Sequence, residues 1–431
     1  MNTPRRRAGR VSTGELFQLL LAMISCGIVV GDANAQTRES LAGESTAQAL
    51  EKSIGAEPYA FQYGPVRANV GARLGINYTD NVFYSEDRKD DVMIQPEVSV
   101  DALYPITQLN TLRLSLGVGY EWYLMNPELN ANAPLVNPGS ELAFNLFVGD
   151  FHIRLHERLS YQESLFFNSP ANNQAFFNFT NTGIFERLDN HVGCDVIWDL
   201  NKTVLSAGYD HENFTAYTSS FKYLNRVSEW FTASAGYFPG DQVQSGLEGQ
   251  AALHHYDQQT TLNDNWRARV GPFVEATLLE GVSLRAGGGY DLARYDAAGE
   301  ATSDFDSFYA YGRLTQQTRL FSHSLEGGRK NVLGDNANDL RTTYALYSIT
   351  SPVVAHLDLG ANVSVNVAEE YGGPSGYDEN FTYSEAGFQA GWQFHKHWRV
   401  ELGYEFLLKA SDLAGRDFER DRVTVALAWK L

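Results

Sequence analysis

The most constraining feature of this sequence is a strict two-residue alternation of apolar and polar side chains. It is clearest in residues 111–124, TLRLSLGVGYEWYL. Successive side chains of a β-strand point to opposite faces, so this segment predicts a strand with one apolar face and one polar, glycine-rich face. The apolar face carries Leu112, Leu114, Leu116, Val118, Tyr120, Trp122 and Leu124. Such a strand fits a structure in which one face contacts lipid and the other contacts water.

The same alternation continues along the chain from residue 65 onward. It recurs in VRANVGARLGINY at 66–78, in VAHLDLGANVSVNV at 354–367 and in HWRVELGYEF at 397–406. Many runs reach about ten to fifteen residues, whereas globular strands average about five or six and membrane-crossing strands need about nine to eleven. Candidate strands begin near residues 66, 92, 109, 140, 151, 183, 202, 226, 241, 265, 281, 304, 317, 340, 354, 381, 397 and 420. These positions predict about 18 strands, with 16 as the alternative because the windows 304–316 and 317–328 are ambiguous in phase.

Short and long connections alternate between these runs. Short turns such as YPITQ, VGD and HKH are followed by longer polar loops such as NPELNANAPLVNPGS and EEYGGPSGYDEN. Short periplasmic turns and long extracellular loops are typical of outer-membrane barrels, in which closure satisfies every backbone hydrogen bond. We therefore predict an all-β fold, a transmembrane antiparallel up-and-down β-barrel. A secreted sandwich or β-solenoid is the alternative, and it gives no reason for loops to segregate by length.

Four residues fit this pattern badly. Glu157 and Glu229 fall on the apolar faces of their strands. Pro96 and Pro272 lie inside strands, where proline removes a donor from the hydrogen-bond ladder. A closed barrel has no free edge to accommodate them, so each proline predicts a β-bulge.

The N-terminus has the pattern of a cleaved export signal. RRRAGR is followed by the apolar run LFQLLLAMISCGIVV, and ANAQ offers a small-residue cleavage site after Ala35. A lipoprotein site at Cys26 is a weaker alternative, because apolar residues continue past that cysteine. We expect a signal peptide at 1–35, a polar periplasmic segment at 36–64 and a barrel at 65–431, located in the bacterial outer membrane.

Charge and motifs exclude several other classes of function. The net charge of −19 argues against nucleic acid as a partner, because phosphate binding requires a basic patch. GGGY at 287–290 lies inside a strand pattern without a following helix, so it does not predict a nucleotide site. The histidines at 254–255 and in HKH at 395–397 could ligate a metal, but the first two point to opposite faces of a strand and the others lie in a short turn, so a metal site is the weaker interpretation. We expect no enzyme activity, no catalytic residues, no metal and no cofactor.

The segment INYTDNVFYS at 76–85 resembles the first-strand motif of the type 2 family of β-barrel porins. The residues that carry the match are Asn77, Tyr78, Asp80, Asn81, Val82 and Phe83. The resemblance implies an outer-membrane barrel whose relatives often accompany exopolysaccharide synthesis and export. It implies no particular substrate.

The polar faces of the predicted strands carry charged residues of both signs. The predicted pore-lining residues are Arg73, Arg113, Glu121, Arg267, Arg269, Arg285, Arg399 and Glu401. Opposed arginines and carboxylates across a narrow lumen would create a field that selects solutes. The plainer interpretation is that they are ordinary solvated side chains on a wet wall.

These observations leave three functional hypotheses. The first is a porin-like channel for small solutes or a barrel that assists exopolysaccharide export. The second is a structural or assembly barrel plugged by residues 36–62 or by the loop SLFFNSPANNQAFFNFTNT at 164–182. The third is a barrel enzyme. The expected partners are outer-membrane lipid and lipopolysaccharide, the barrel assembly machinery, and polysaccharide or small solutes.

Overall fold

The computed structural model describes residues 59–107, 109–163, 185–240, 242–296, 304–354 and 356–431. The predicted signal peptide, Cys26, residues 36–58 and the loop at 164–182 lie outside these ranges.

Strands dominate the described residues. They are β1 (Phe61–Tyr63), β2 (Val66–Thr79), β3 (Asp91–Pro105), β4 (Thr111–Gly119), β5 (Trp122–Tyr123), β6 (Leu135–Val136), β7 (Glu141–Val148), β8 (Phe151–Gln162), β9 (Arg187–Asp199), β10 (Thr203–Ala216), β11 (Arg226–Gly240), β12 (Val243–Tyr256), β13 (Asn265–Leu279), β14 (Val282–Tyr295), β15 (Phe305–Gln317), β16 (Ser322–Leu333), β17 (Asp339–Val354), β18 (Leu357–Tyr371), β19 (Asp378–His395), β20 (Trp398–Ser411) and β21 (Phe418–Lys430). Short 3₁₀ turns occur at Pro127–Leu129 and Ser219–Leu224. Among the described residues, none of the helical segments is long and apolar enough to cross a membrane.

The long strands β2–β4 and β7–β21 form one closed antiparallel barrel. Each pairs with its neighbours in the chain, and β2 closes the ring by pairing with β21 from Gly71↔Lys430 to Thr79↔Arg422. The prediction of an up-and-down barrel of 18 strands is therefore confirmed, and the alternative of 16 is wrong. Both ambiguous windows form strands, although Ser322 starts its strand five residues after the predicted position at 317.

The two faces of each strand meet different surroundings. On β2, Leu74, Ile76 and Tyr78 are 47%, 47% and 43% exposed on the outside of the barrel, while Asn77 between them is fully buried. A globular protein would bury these apolar side chains in its core. Their outward position matches the apolar band of a barrel whose outside is solvated by lipid.

The predicted bulges at Pro96 and Pro272 are wrong. The pairing of β2 with β3 runs through Leu74↔Pro96 without a shift, and β12 with β13 runs through Leu247↔Pro272 in the same way. On its other side Pro96 faces the break between β4 and β5, where Tyr120 donates its N–H to the Pro96 carbonyl at 3.0 Å. The backbone N–H that Pro96 lacks therefore falls where the neighbouring strand is interrupted. Because no hydrogen bond is lost there, β3 needs no extra residue to form a bulge.

At Pro272 the neighbouring strand supplies glycines. Pairing between β13 and β14 stops after Val270↔Tyr290 and resumes in the same register at Phe273↔Gly287. In this gap a Cβ on Gly271 would lie 2.1 Å from the carbonyl oxygen of Gly288. The GGGY segment is therefore a place where two strand backbones approach closely.

Buried apolar residues collect at the end of the barrel that carries the longer loops. One cluster contains Phe185, Ala216, Leu224, Tyr256 and Leu262. Three smaller clusters lie around the same end, built on Val82 and Met93, on Ala293 and Tyr295, and on Leu340 and Phe381. The long loops and strand ends thus narrow the lumen from this side.

Candidate functional site

The lumen contains a cavity of about 1330 Å³ whose wall carries charged side chains of both signs. It extends from Leu333 and Asp335, beside the long-loop end, to Asp358, the second residue of β18 at the short-turn end. Its charged lining includes Arg73, Glu97, Arg158, Arg187, Asp189, Asp210, Glu212, Arg226, Arg267, Arg269, Asp291, Asp335, Asp358, Glu385, Arg399, Glu401, Glu405 and Arg422. The cavity lies inside the barrel and exposes charges of both signs to the lumen.

The loop between β16 and β17 folds into the mouth of this cavity. A single carboxylate oxygen, Glu370 Oε1, accepts the backbone N–H groups of Asp335, Asn336 and Ala337 at 2.8, 2.7 and 3.2 Å. Ala337 and Asn338 are almost fully buried. We call residues 334–338 the inward loop. It places Asp335 on the cavity wall.

The inward loop is anchored on a distant part of the barrel. Asn338 Nδ2 donates to Asn263 Oδ1 at 2.9 Å, and the backbone N–H of Asn263 donates to Asn338 Oδ1 at 2.9 Å. Asn263 belongs to the loop between β12 and β13, so this contact bridges the ends of β13–β16. The loop therefore lies across part of the opening.

Below the inward loop, a buried ion pair holds an arginine against the wall. Arg267 of β13 contacts Asp339 at the start of β17 and donates to the Tyr295 hydroxyl at 3.2 Å. The Asp339 side chain is fully buried, and the Arg267 side chain is 10% exposed. This arrangement fixes a cationic group on the cavity wall beside the inward loop.

Near the inward loop, strand β16 separates from its neighbour β15. Its pairing with β15 ends at Ala310↔Arg329, although β16 continues to Leu333. Beyond that point Asn331 donates to Asp291 of β14 at 2.9 Å. The end of β16 therefore bends toward the lumen and carries the inward loop with it.

A second charged group lies lower in the cavity. Arg73 Nε is 3.1 Å from Glu401 Oε2, Arg399 Nε is 3.5 Å from Glu401 Oε1, and Arg399 also pairs with Asp358 at 2.7 Å. These side chains are 19–54% exposed, so they remain in contact with the water of the lumen. They form a row of alternating charge along β2, β20 and β18.

The wall formed by β8–β11 carries a third charged group. Asp189, His191 and Glu212 each offer one possible metal ligand, and these atoms lie within 4.8 Å of one another. However, Glu212 already pairs with Arg226 at 2.6 Å and accepts from Trp230 at 2.7 Å. We therefore interpret this group as a charge network of the lumen wall.

Five of the eight predicted pore-lining residues lie on the cavity wall. They are Arg73, Arg267, Arg269, Arg399 and Glu401. Arg269 also lies over the Tyr309 ring, 5.7 Å from its centroid. Whether these residues control permeation stays a prediction.

The other three predicted residues lie elsewhere. Glu121 is fully buried, where it accepts from Gln95 at 2.9 Å and from the Tyr123 hydroxyl at 3.2 Å. Arg285 pairs with Glu248 and Glu275, at 3.2 Å each, outside the cavity lining. Arg113 is an exposed residue of β4, two positions after its first residue at the short-turn end.

The motif at residues 77–83 builds the seam where the barrel closes. Asn77 Nδ2 donates to Gln95 at 2.6 Å, while its Oδ1 accepts from Thr424 of β21 at 2.6 Å. Asp80 Oδ1 accepts the backbone N–H of Asp421 at 2.7 Å, and Asn81 donates to the Glu419 carbonyl at 2.8 Å. These residues fasten the first loop to the last strand.

The remaining motif residues, Val82, Phe83 and Tyr78, do not line the cavity. Val82 is buried against Met93 and Tyr123, with Phe83 packed beside them. Tyr78 points outward from β2. The structural role of the motif is therefore closure of the barrel.

The chain was compared with known proteins at three levels. No family model matches it, and no curated protein matches it. Among solved structures it is similar to Pseudomonas aeruginosa OpdK with vanillate, at 13% identity and TM-score 0.48 over 84% of this chain and 99% of that one. It is also similar to Pseudomonas aeruginosa OccK2 (OpdF) in complex with glucuronate, at 11% identity and TM-score 0.48 over 85% and 98%.

A third similar structure is Acinetobacter baumannii OccAB3, at 10% identity and TM-score 0.47 over 86% of this chain and 100% of that one. Similarity at this level says nothing about what this chain binds. The barrel architecture rests on the strand pairing itself, which closes through β2 and β21.

Proposed function

We propose that the protein is a porin-like, passive outer-membrane channel for small hydrophilic solutes. The observation that carries this proposal is the charged cavity of about 1330 Å³, which extends from the inward loop to Asp358 at the short-turn end. A barrel of this strand number has room for an aqueous passage, and fixed charges beside a narrowing act on the solutes that pass.

The proposed location is the outer membrane, reached through cleavage of the signal peptide at 1–35. In this location the short turns face the periplasm and the long loops face outward. Lipopolysaccharide would surround the outer rim, and the barrel assembly machinery would insert the chain. The motif at 77–83 supports membership of the type 2 family of β-barrel porins, whose link to exopolysaccharide export is an expectation from the resemblance.

Conductance in planar bilayers tests the channel. The purified full-length mature protein should produce discrete steps of current. Glu401→Gln, on the cavity wall, should shift the reversal potential in a salt gradient toward anion preference, because it removes a negative charge from the passage. Glu86→Gln makes the same change in charge in the exposed loop between β2 and β3, away from the cavity, and should leave the reversal potential unchanged. A correctly folded protein that gives silent bilayers would contradict the proposal and favour a structural barrel.

A further inference from the structure

Two glutamates of this barrel face the membrane. Glu157 lies on the outer face of β8, between the outward-facing Leu155 and Leu159, and is exposed. Asn190 of β9 donates to its Oε1 at 3.3 Å. On β11, Glu229 Oε2 accepts from the Tyr209 hydroxyl at 2.6 Å, and Glu229 Oε1 is 2.9 Å from His211 Nδ1. We call the outer surface of β8–β11 that carries these five side chains the polar outer face.

The polar outer face reaches deep into the apolar band. At a rise of about 3.3 Å per residue and a tilt of about 40°, Glu157 lies about 15 Å above Phe151 at the short turn. The same geometry places Glu229 about 20 Å above Tyr237. The apolar band of such barrels is about 25 Å tall, so Glu157 lies near its middle. By contrast, all the outward positions of β2 from Val66 to Tyr78 are apolar.

Lipid cannot satisfy these groups. Hydrocarbon offers no hydrogen-bond partner, and a charged side chain that faces it is destabilising. The phosphates and cations of a lipopolysaccharide layer lie at the rim, above the depth of Glu157. The partner that can reach this depth with polar groups is another membrane protein.

We propose that the polar outer face is the contact surface for a second copy of this chain in the same membrane orientation. The face complements itself: Glu157 is six residues above Phe151, the first residue of β8, and Tyr209 is six residues above Thr203, the first residue of β10, so the two side chains lie at similar depths. A two-fold axis normal to the membrane at β9 places β8 of each copy opposite β10 of the other. Glu157 of one copy then meets Tyr209 and His211 of its partner, and shares these donors with the partner's Glu229.

The single cysteine among the described residues offers a probe at the centre of this contact. Cys194 lies on the outer face of β9, in the register row Leu155↔Cys194↔Tyr209. Packed sheets lie about 10 Å apart, so a two-fold axis at β9 would bring two copies of Cys194 within reach of a short bismaleimide cross-linker. Treatment of intact outer membranes with such a cross-linker should therefore give a cross-linked species of twice the mass.

Two variants make the test specific. Val192→Trp adds a bulky side chain at the proposed contact, which lipid accommodates easily, so the barrel should fold but lose the cross-linked species. A control carries Cys194→Ser with Ala72→Cys on the outer face of β2, and it should not cross-link. Sedimentation equilibrium in mild detergent should give a two-copy mass for the native protein and a one-copy mass for Val192→Trp.

Several results would overturn the proposal. They are a one-copy or three-copy mass for the native protein, equal cross-linking at Ala72→Cys, and cross-linking that survives Val192→Trp. A one-copy mass with bound lipopolysaccharide would assign the polar outer face to lipid. None of these outcomes depends on whether the lumen conducts.

Discussion

Asn338 and Asn263 join two loops at the mouth of the barrel by two hydrogen bonds, each 2.9 Å long. Both residues are almost fully buried, although both belong to loops. Their contact ties the inward loop to the loop between β12 and β13, four strands away. The position of the inward loop therefore depends on this pair of amide side chains as well as on Glu370.

Replacing this pair should widen and loosen the opening. Asn338→Ala removes both bonds and leaves a buried donor of Asn263 without its partner, at a cost of about 1–3 kcal/mol. We expect higher and noisier single-channel conductance because the inward loop is then held mainly by Glu370. Asn132→Ala is the matched control, since Asn132 bonds only at the exposed rim, to Glu186 at 2.9 Å. Unchanged conductance in Asn338→Ala would show that the loop does not limit the passage.

The orientation of side chains on β4 gives a direct test of the membrane-facing surface. Leu116 points outward, whereas the Ser115 hydroxyl donates to Asp101 at 2.8 Å on the lumen side. Leu116→Arg should destabilise the barrel by about 2–4 kcal/mol, because it places a charge in the apolar band. Ser115→Arg should cost much less, because it points into water beside a carboxylate. Refolding into liposomes, followed on unboiled gels, would measure both; equal costs would contradict the assignment of faces.

The buried pair of Arg267 and Asp339 predicts a strong coupling energy. Arg267→Met leaves the Asp339 carboxylate buried without its cation, so the free energy of unfolding should fall by about 3–5 kcal/mol. The double variant Arg267→Met/Asp339→Asn removes both charges and should recover most of that loss. Unfolding in denaturant, measured for both single variants and the double variant, gives the coupling. Additive losses would mean that the two side chains act independently.

The carboxyl group of Glu163 should make the free energy of unfolding depend on pH. Burial, with the nearby charges of Glu186 and Glu121, raises the pKa of Glu163 to about 7. The folded state therefore binds the proton of the Glu163 carboxyl more tightly than the unfolded state does. For this reason the contribution of Glu163 to the free energy of unfolding falls as the pH rises from about 4.5 to 7. Glu163→Gln should therefore raise the free energy of unfolding at pH 8 and flatten its change between pH 5 and pH 8. A variant with the same pH dependence as the native protein would refute the assignment.

The fold could be predicted from the sequence because almost every strand residue meets either lipid or water. That contrast produces the two-residue period of the sequence. It located the start of β15 to within one residue, whereas β16 starts five residues after its predicted position. The bulges at Pro96 and Pro272 could not be judged in the same way. Their effect depends on the neighbouring strand, which is interrupted at Tyr120 and rich in glycine at 287–289.

The candidate site was only partly predictable for a similar reason. The alternation tells which face a residue occupies, and it correctly turns Arg73, Arg267 and Glu401 toward the lumen. It does not tell how deep the residue lies or whether a loop covers it, so it could not separate these from Glu121. The inward loop has no local signature, because its position depends on Glu370 and Asn263, which are remote in sequence.

The seam between β2 and β21 has a consequence for biogenesis. Thr424 donates to Asn77 across 347 residues of chain, so the contacts that close the barrel join its first long strand to its last. Contacts of such high sequence separation form late, because the intervening chain must be ordered before they are made. Until β21 pairs with it, β2 has an unpaired edge of backbone N–H and C=O groups, and such an edge can pair with other chains. The protein therefore depends most on a chaperone between its synthesis and the closure of the barrel. Formation of the contacts around Asn77 and Asn81 ends that dependence.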